Sequence, residues 1–133
     1  MAVNRYYSAT AQDTTVASAF NGSATNIVVN GLTGYPSNTP FIVAVDYNTS
    51  SEELVQVNAY TGTGPYTLSV TRGFNSTSPT NHAIGAVVRH VISAQDMTEA
   101  QQHIAATTGI HGVAGSLASK DDMTSISFMT MGA

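Results

Sequence analysis

Along the chain the apolar residues change their period once. From Ser23 to Ile92 they come in short runs or alternate with polar neighbours, and beyond Ile92 they recur every three or four positions. Thr25–Val29 is rich in β-branched residues and stops at Asn30-Gly31, a pair that favours a tight turn. Pro36 and Pro40 suit neither helix nor central strand, so Gly34–Pro40 reads as a loop. Phe41–Tyr47 is a near-continuous apolar run, the pattern of a strand covered on both faces. After a turn at Asn48–Ser51, Glu53–Tyr60 alternates, with Val55, Val57 and Ala59 in one phase against Gln56 and Asn58. A second tight turn, Gly62-Thr-Gly64-Pro65, leads to Thr67–Arg72, where Leu68 and Val70 share a face. Gly73–Ala83 is a long polar loop, and Ala86–Ile92 closes the set.

Five short strands with no helix-length segment between them exclude a parallel α/β fold. The expected class is mainly β, a small antiparallel β-sandwich or barrel, with Val43, Val45, Val57, Leu68, Val70 and Val88 in its core. Ser93 is a good helix N-cap, and Asp96 three residues on can complete a capping box. Met97, Ala100, Ile104 and Thr107 then form one narrow apolar helix face, and Gly109 suits the helix end. The expected organisation is an extended N-terminal arm over 1–15, a β-domain over 16–92, a short helix over 93–108 and an extended C-terminal tail over 109–133. In the tail, Ile126 and Phe128 alternate with polar residues before Met129 and Met131. An alternating segment without a hairpin partner can add to a sheet edge on another molecule. The expectation is therefore that one or both termini become ordered by contact with a neighbouring subunit or a larger surface.

Composition narrows the function. Only 9% of residues are charged, against about 25% in an ordinary soluble domain. In their place stand 14 serines and 18 threonines among 133 residues, which suits close, uncharged protein contacts. The net charge is −4, and the four basic residues (Arg5, Arg72, Arg89 and Lys120) are scattered, so the basic cluster needed to neutralise phosphates is missing and no direct nucleic-acid contact is expected. There is no cysteine for a disulfide or thiolate site. No stretch approaches the ~18 apolar residues of a membrane span, and no signal-peptide core is visible, so no membrane partner is expected.

The motifs of catalysis are not found. No G-x-S-x-G elbow is present, and His82, His90, His103 and His111 lie too far apart for a helical or looped metal-ligand pair, so no metal and no cofactor is expected. Glu52-Glu53 and Asp121-Asp122 read as turn pairs, because adjacent strand residues face opposite ways. Gly62-x-Gly64 is followed by proline rather than a helix and cradles no phosphate. The expectation is a protein that is not an enzyme.

Two segments carry a resemblance. Leu68-Ser-Val-Thr-Arg72-Gly73-Phe74, continued by His82-Ala-Ile-Gly85-Ala86-Val-Val, resembles a module of bacteriophage tail and capsid-decoration proteins, with Glu53-Leu-Val-Gln-Val similar to its preceding strand. Ile104-Ala-Ala-Thr-Thr-Gly109-Ile-His111-Gly112-Val resembles a joint where a short helix hands over to trimeric segments in such proteins. The resemblance implies a virion structural protein, a capsid decoration (minor capsid) protein on the outer capsid surface, made in the host bacterial cytoplasm. It would bind the phage major capsid protein and itself, as a homotrimer. A short tail, baseplate or fibre-adaptor protein is the alternative, with tail proteins as partners. A carbohydrate-binding β-module is a third reading, resting on Tyr35, Tyr47, Tyr60 and Tyr66 near turns and weakened by the absence of tryptophan. Arg72 and Gly73 at a strand end, with His82 before the next strand, are expected to clamp a loop. Arg5, Tyr6, Tyr7, Met97, Ile104, Ile126, Phe128, Met129 and Met131 are the candidate residues of a subunit or capsid interface.

Overall fold

The computed structural model describes residues 4–105. The chain divides into two compact units, 1–97 and 98–133, and of the second only Thr98–Ala105 is described. Six strands form one antiparallel sheet: β1 (Thr14–Thr15), β2 (Asn26–Val29), β3 (Phe41–Val45), β4 (Glu53–Gly62), β5 (Tyr66–Phe74) and β6 (Val87–His90). Their order is β1-β6-β3-β4-β5-β2. An antiparallel bridge between Val16 and Val29 brings the two outer strands together, so the sheet curls into a nearly closed barrel. Closure removes most of the free edge that an open sheet would present.

All six residues expected in the core are buried there, with Val16, Ile27, Val29, Phe41 and Val55 beside them. The five residues of β3 are all buried: Phe41, Val43 and Val45 join the core cluster, and Ile42 and Ala44, on the opposite face, are covered as well. That is the two-sided burial expected of its unbroken apolar run. In β4 the alternation holds for Val55 and Val57 but fails at Ala59, which is exposed, while Tyr60 turns inward against the core. The pairing with β5 slips between Val57 and Ala59, and one extra residue reverses the phase of everything after it.

The N-terminal arm is corrected in part. Its Thr14–Thr15 pairs with Val88 and Val87 of β6, making a sixth strand. The residues before it run extended but are bound to their own domain: Tyr6 N donates to Pro40 O at 2.9 Å, Ser8 N to His90 Nε2 at 3.1 Å, and Gln12 N to Thr33 O at 3.0 Å. The described part of the arm therefore does not wait for a neighbour to order it. Gly34 explains how closely it lies, because a Cβ at that residue would collide with the Thr10 carbonyl oxygen, and its φ of +77° is itself one that side chains avoid.

Helix α1 spans Ala94–Ala105. It starts where expected: Asp96 N donates to Ser93 Oγ at 3.2 Å, and Ser93 N donates back to Asp96 Oδ2 at 2.8 Å. This is a capping box with aspartate in the usual glutamate place. Ile92 and Met97 occupy the positions of a hydrophobic staple around it, yet stay 64% and 56% exposed. The expected helix end at Thr107–Gly109, the tail over 109–133 and the interface residues Ile126, Phe128, Met129 and Met131 lie outside the described residues.

Leu68 is fully buried and tests the strand phase. Leu68→Ala is expected to cost about 2–5 kcal/mol of unfolding free energy, read from a denaturant midpoint at unchanged slope.

Candidate functional site

One end of the barrel is closed by charge. Glu53 opens β4 in phase with Val55 and Val57, and Arg72 follows Leu68 and Val70 in the inward phase of β5. Both side chains therefore sit on the core side, Glu53 with no solvent exposure and Arg72 with 7%. Arg72 Nε donates to Glu53 Oε2 at 2.7 Å and Nη2 donates to Oε1 at 2.8 Å, a two-pronged ion pair. The remaining guanidinium hydrogens are directed at loop carbonyls: Nη1 to Asn21 O at 2.7 Å and Ala24 O at 3.0 Å, and Nη2 to Thr80 O at 2.7 Å. A guanidinium has five N–H bonds, and all are used. Its plane lies over the Phe20 ring, 5.0 Å from the centroid.

Glu53 also accepts from Gly73 N at 3.0 Å and Thr80 N at 3.1 Å. His82, 2% exposed, bridges Glu53 to Asp46, with Nε2 at 3.0 Å from Glu53 Oε1 and Nδ1 at 2.6 Å from Asp46 Oδ2. Burial by itself would raise the Glu53 pKa; the hydrogen bonds from Arg72, His82, Gly73 and Thr80 outweigh it and bring it down from 4.5 to about 2. Gly73 has φ +62°, and a Cβ there would come within 2.9 Å of Thr77 O, so the bend that presents its N–H to Glu53 requires glycine.

Arg72, Gly73 and His82 thus meet at one carboxylate. The sequence reading paired Glu53 with Glu52 in a turn; the structure places it at the centre of the cluster, and the correction has a visible cause. Glu53 is two and four residues before Val55 and Val57, so it shares their inward face, a signal already present in the alternation. Asp46 carried no such signal, since it stands just past β3 with φ 57° and reaches His82 only through the fold.

A second charged node ties the arm to the helix start. Arg5 is 8% exposed; its Nε donates to Asp96 Oδ1, and its guanidinium lies 5.1 Å from the centre of the Phe74 ring. Tyr7 Oη donates to the same Asp96 oxygen at 2.8 Å. Arg5 is thereby engaged within its own chain, which removes it from the candidate interface set. The other described members are exposed: Tyr6 41%, Tyr7 48%, Met97 56% and, in the second unit, Ile104 73%. Of the tyrosines considered for sugar stacking, Tyr35, Tyr60 and Tyr66 pack against the core, and the Tyr47 ring carries the Arg89 guanidinium at 4.2 Å.

Among the described residues no group of three or more His, Cys, Asp or Glu is arranged to hold a metal ion, and no helix is long and apolar enough to cross a membrane. Comparison with known proteins finds no matching family model, no matching curated protein and no matching solved structure.

Arg72→Met removes the two-pronged ion-pair partner of buried Glu53, and is expected to cost about 3–5 kcal/mol of stability by chemical denaturation. Arg72→Lys should recover little of it, because an ammonium lacks the planar fork. Because the folded Glu53 pKa is lowered, its contribution is complete above pH 4.5 and is lost as pH falls toward 2. Glu53→Gln should therefore lower stability at pH 7 and flatten the loss between pH 4.5 and 2, as followed by circular dichroism in an acid titration.

Proposed function

We propose that this protein is a structural component of a bacteriophage particle, a capsid decoration protein that assembles as a homotrimer on the major capsid shell. The observation that carries the reading is the fate of Arg72, Gly73 and His82. These are residues through which the chain resembles phage decoration and tail modules, and they meet at Glu53 to lock the loops around Asn21, Ala24 and Thr80 onto the barrel. Every donor of Arg72 and both ring nitrogens of His82 are engaged inside the chain, which suits a brace better than a site of turnover.

A decoration protein works mechanically, by holding shell subunits together across their boundaries against the pressure of a packed genome. That task requires a domain which keeps its shape, contributed here by the braced barrel, and a surface that tolerates close contact. The low charge and the exposed Tyr6, Tyr7 and Met97 of the first unit supply the second. Ile104 of the second unit is a further apolar contact residue, in line with the resemblance of Ile104–Val113 to a trimeric joint.

Copy number tests the placement. Densitometry of purified particles is expected to give hundreds of copies per virion, and light scattering of the isolated protein a trimer. A few to a few dozen copies would move the protein to the tail or baseplate, and its absence from particles would defeat both readings.

A further inference from the structure

His90 stands where the arm meets the aromatic end of the barrel, and its two ring nitrogens have opposite roles. Nδ1 lies 3.0 Å from Ile42 O, and a carbonyl oxygen only accepts, so Nδ1 carries a hydrogen. Nε2 accepts the backbone N–H of Ser8 at 3.1 Å, so Nε2 carries none. The fold thus selects one neutral tautomer, and the ring is the only link between the Ser8 amide and strand β3 that these contacts provide. Its faces and edges are closed by aromatic rings, with centroids at 6.3 Å for Tyr7, 5.9 Å for Tyr35 and 5.8 Å for Phe41.

We infer that His90 is a proton-operated latch for the arm segment around Ser8, closed when the ring is neutral and opened when Nε2 takes up a proton. A hydrogen on Nε2 would point at the hydrogen on Ser8 N, turning an attractive contact into two facing donors. Turning the ring over gives no escape, because both nitrogens of the charged ring carry a hydrogen and whichever one faces Ser8 N meets it as a donor.

The surrounding charges set the direction. On its own strand Arg89 is paired with Asp13, at 2.7 Å between Nη2 and Oδ2. From the arm come Tyr7 and Arg5, from the loop before β3 comes Tyr35, and from the helix start comes Asp96. Asp96 favours a charged ring, but burial outweighs it and lowers the His90 pKa below its ordinary 6.5, while Tyr35 is pushed up to about 12 by burial and stays neutral. The Asp96 carboxyl is itself held below its ordinary range: burial would raise it, and the hydrogen bonds from Arg5, Ser93 and Tyr7 prevail. The latch therefore holds fully above pH 6.5 and weakens as pH falls below that value, since the opened ring binds a proton more readily than the closed one. Arg5 stays anchored to ionised Asp96 throughout, so the opening is local to the segment between Tyr6 and Thr10. Release around Ser8, with Tyr7 Oη still held by Asp96, uncovers the edge of the Tyr35–Phe41–His90 cluster, a surface of use to an incoming partner.

Nuclear magnetic resonance of the full chain tests this. Long-range nitrogen-proton spectra at pH 7.5 should report the Nδ1-protonated tautomer at His90; the other tautomer would overturn the inference. The Ser8 amide, corrected for intrinsic exchange, should lose at least tenfold of its protection between pH 7.5 and 5.0, while amides of β4 and β5 keep theirs. Unchanged Ser8 protection would overturn it, as would loss in step with the whole barrel. In His90→Gln, Ser8 protection should no longer depend on pH over this range; the same dependence in that variant would assign it to another group. Copy number and trimer formation do not enter these readouts, so the latch and the virion role stand or fall separately.

Discussion

Glu53 has no access to solvent, and the arrangement at its end of the barrel follows from what an uncompensated carboxylate would cost there. Taking a lone charge from water into a protein interior costs several kcal/mol even after relaxation, so the carboxylate persists as a charge only within a full set of donors. Arg72, Gly73, Thr80 and His82 supply that set: the first two are consecutive at the end of β5, and the other two lie in the loop before β6. Two segments are thus fixed to the start of β4 by one charge. The loop before β6 and the one around Asn21 and Ala24 are both irregular, and Arg72 ties each of them to the barrel.

The opposite end of the barrel is closed by a different chemistry. Phe41, Tyr35, Tyr60, Tyr66 and His90 meet there in edge-on or tilted pairs, with centroids about 6 Å apart. Aromatic packing is apolar and tolerates small shifts, whereas the charged end is directional and tolerates almost none. The N-terminal arm is laid along the softer end through Ser8 and His90, and pinned further out by Arg5 and Asp96. A small barrel thus has one rigid pole and one pole where a segment can be attached or let go.

This polarity accords with the proposed role on a phage shell. A decoration module has to keep its own fold under load while fitting against subunits in slightly different surroundings. The charged brace gives the first property, and an uncharged, Ser- and Thr-rich surface with exposed Tyr6, Tyr7 and Met97 suits the second. Methionine adapts to irregular pockets better than branched side chains do, which favours Met97 as a contact residue.

The sequence by itself determined five of the six strands, because a two-residue alternation bounded by Gly, Pro and Asn can bury one face in only one way, while β1 is made only by its pairing with β6. It determined the core valines, the doubly covered β3 and the Ser93–Asp96 cap, all of which depend on neighbours within a few residues. It also pointed to Arg72, Gly73 and His82 as a loop clamp, and it held the inward phase of Glu53 in plain view. Tertiary structure alone decided what the clamp closes on. Asp46 meets His82 across 36 residues, Glu53 meets Arg72 across 19, and Arg5 meets Asp96 across 91. The pattern of a strand says which face a side chain takes, but its partner is chosen by how strands are ordered around the barrel and by where a bulge shifts the register. That choice is made by closure of the whole sheet, through backbone pairing that no local stretch of sequence encodes.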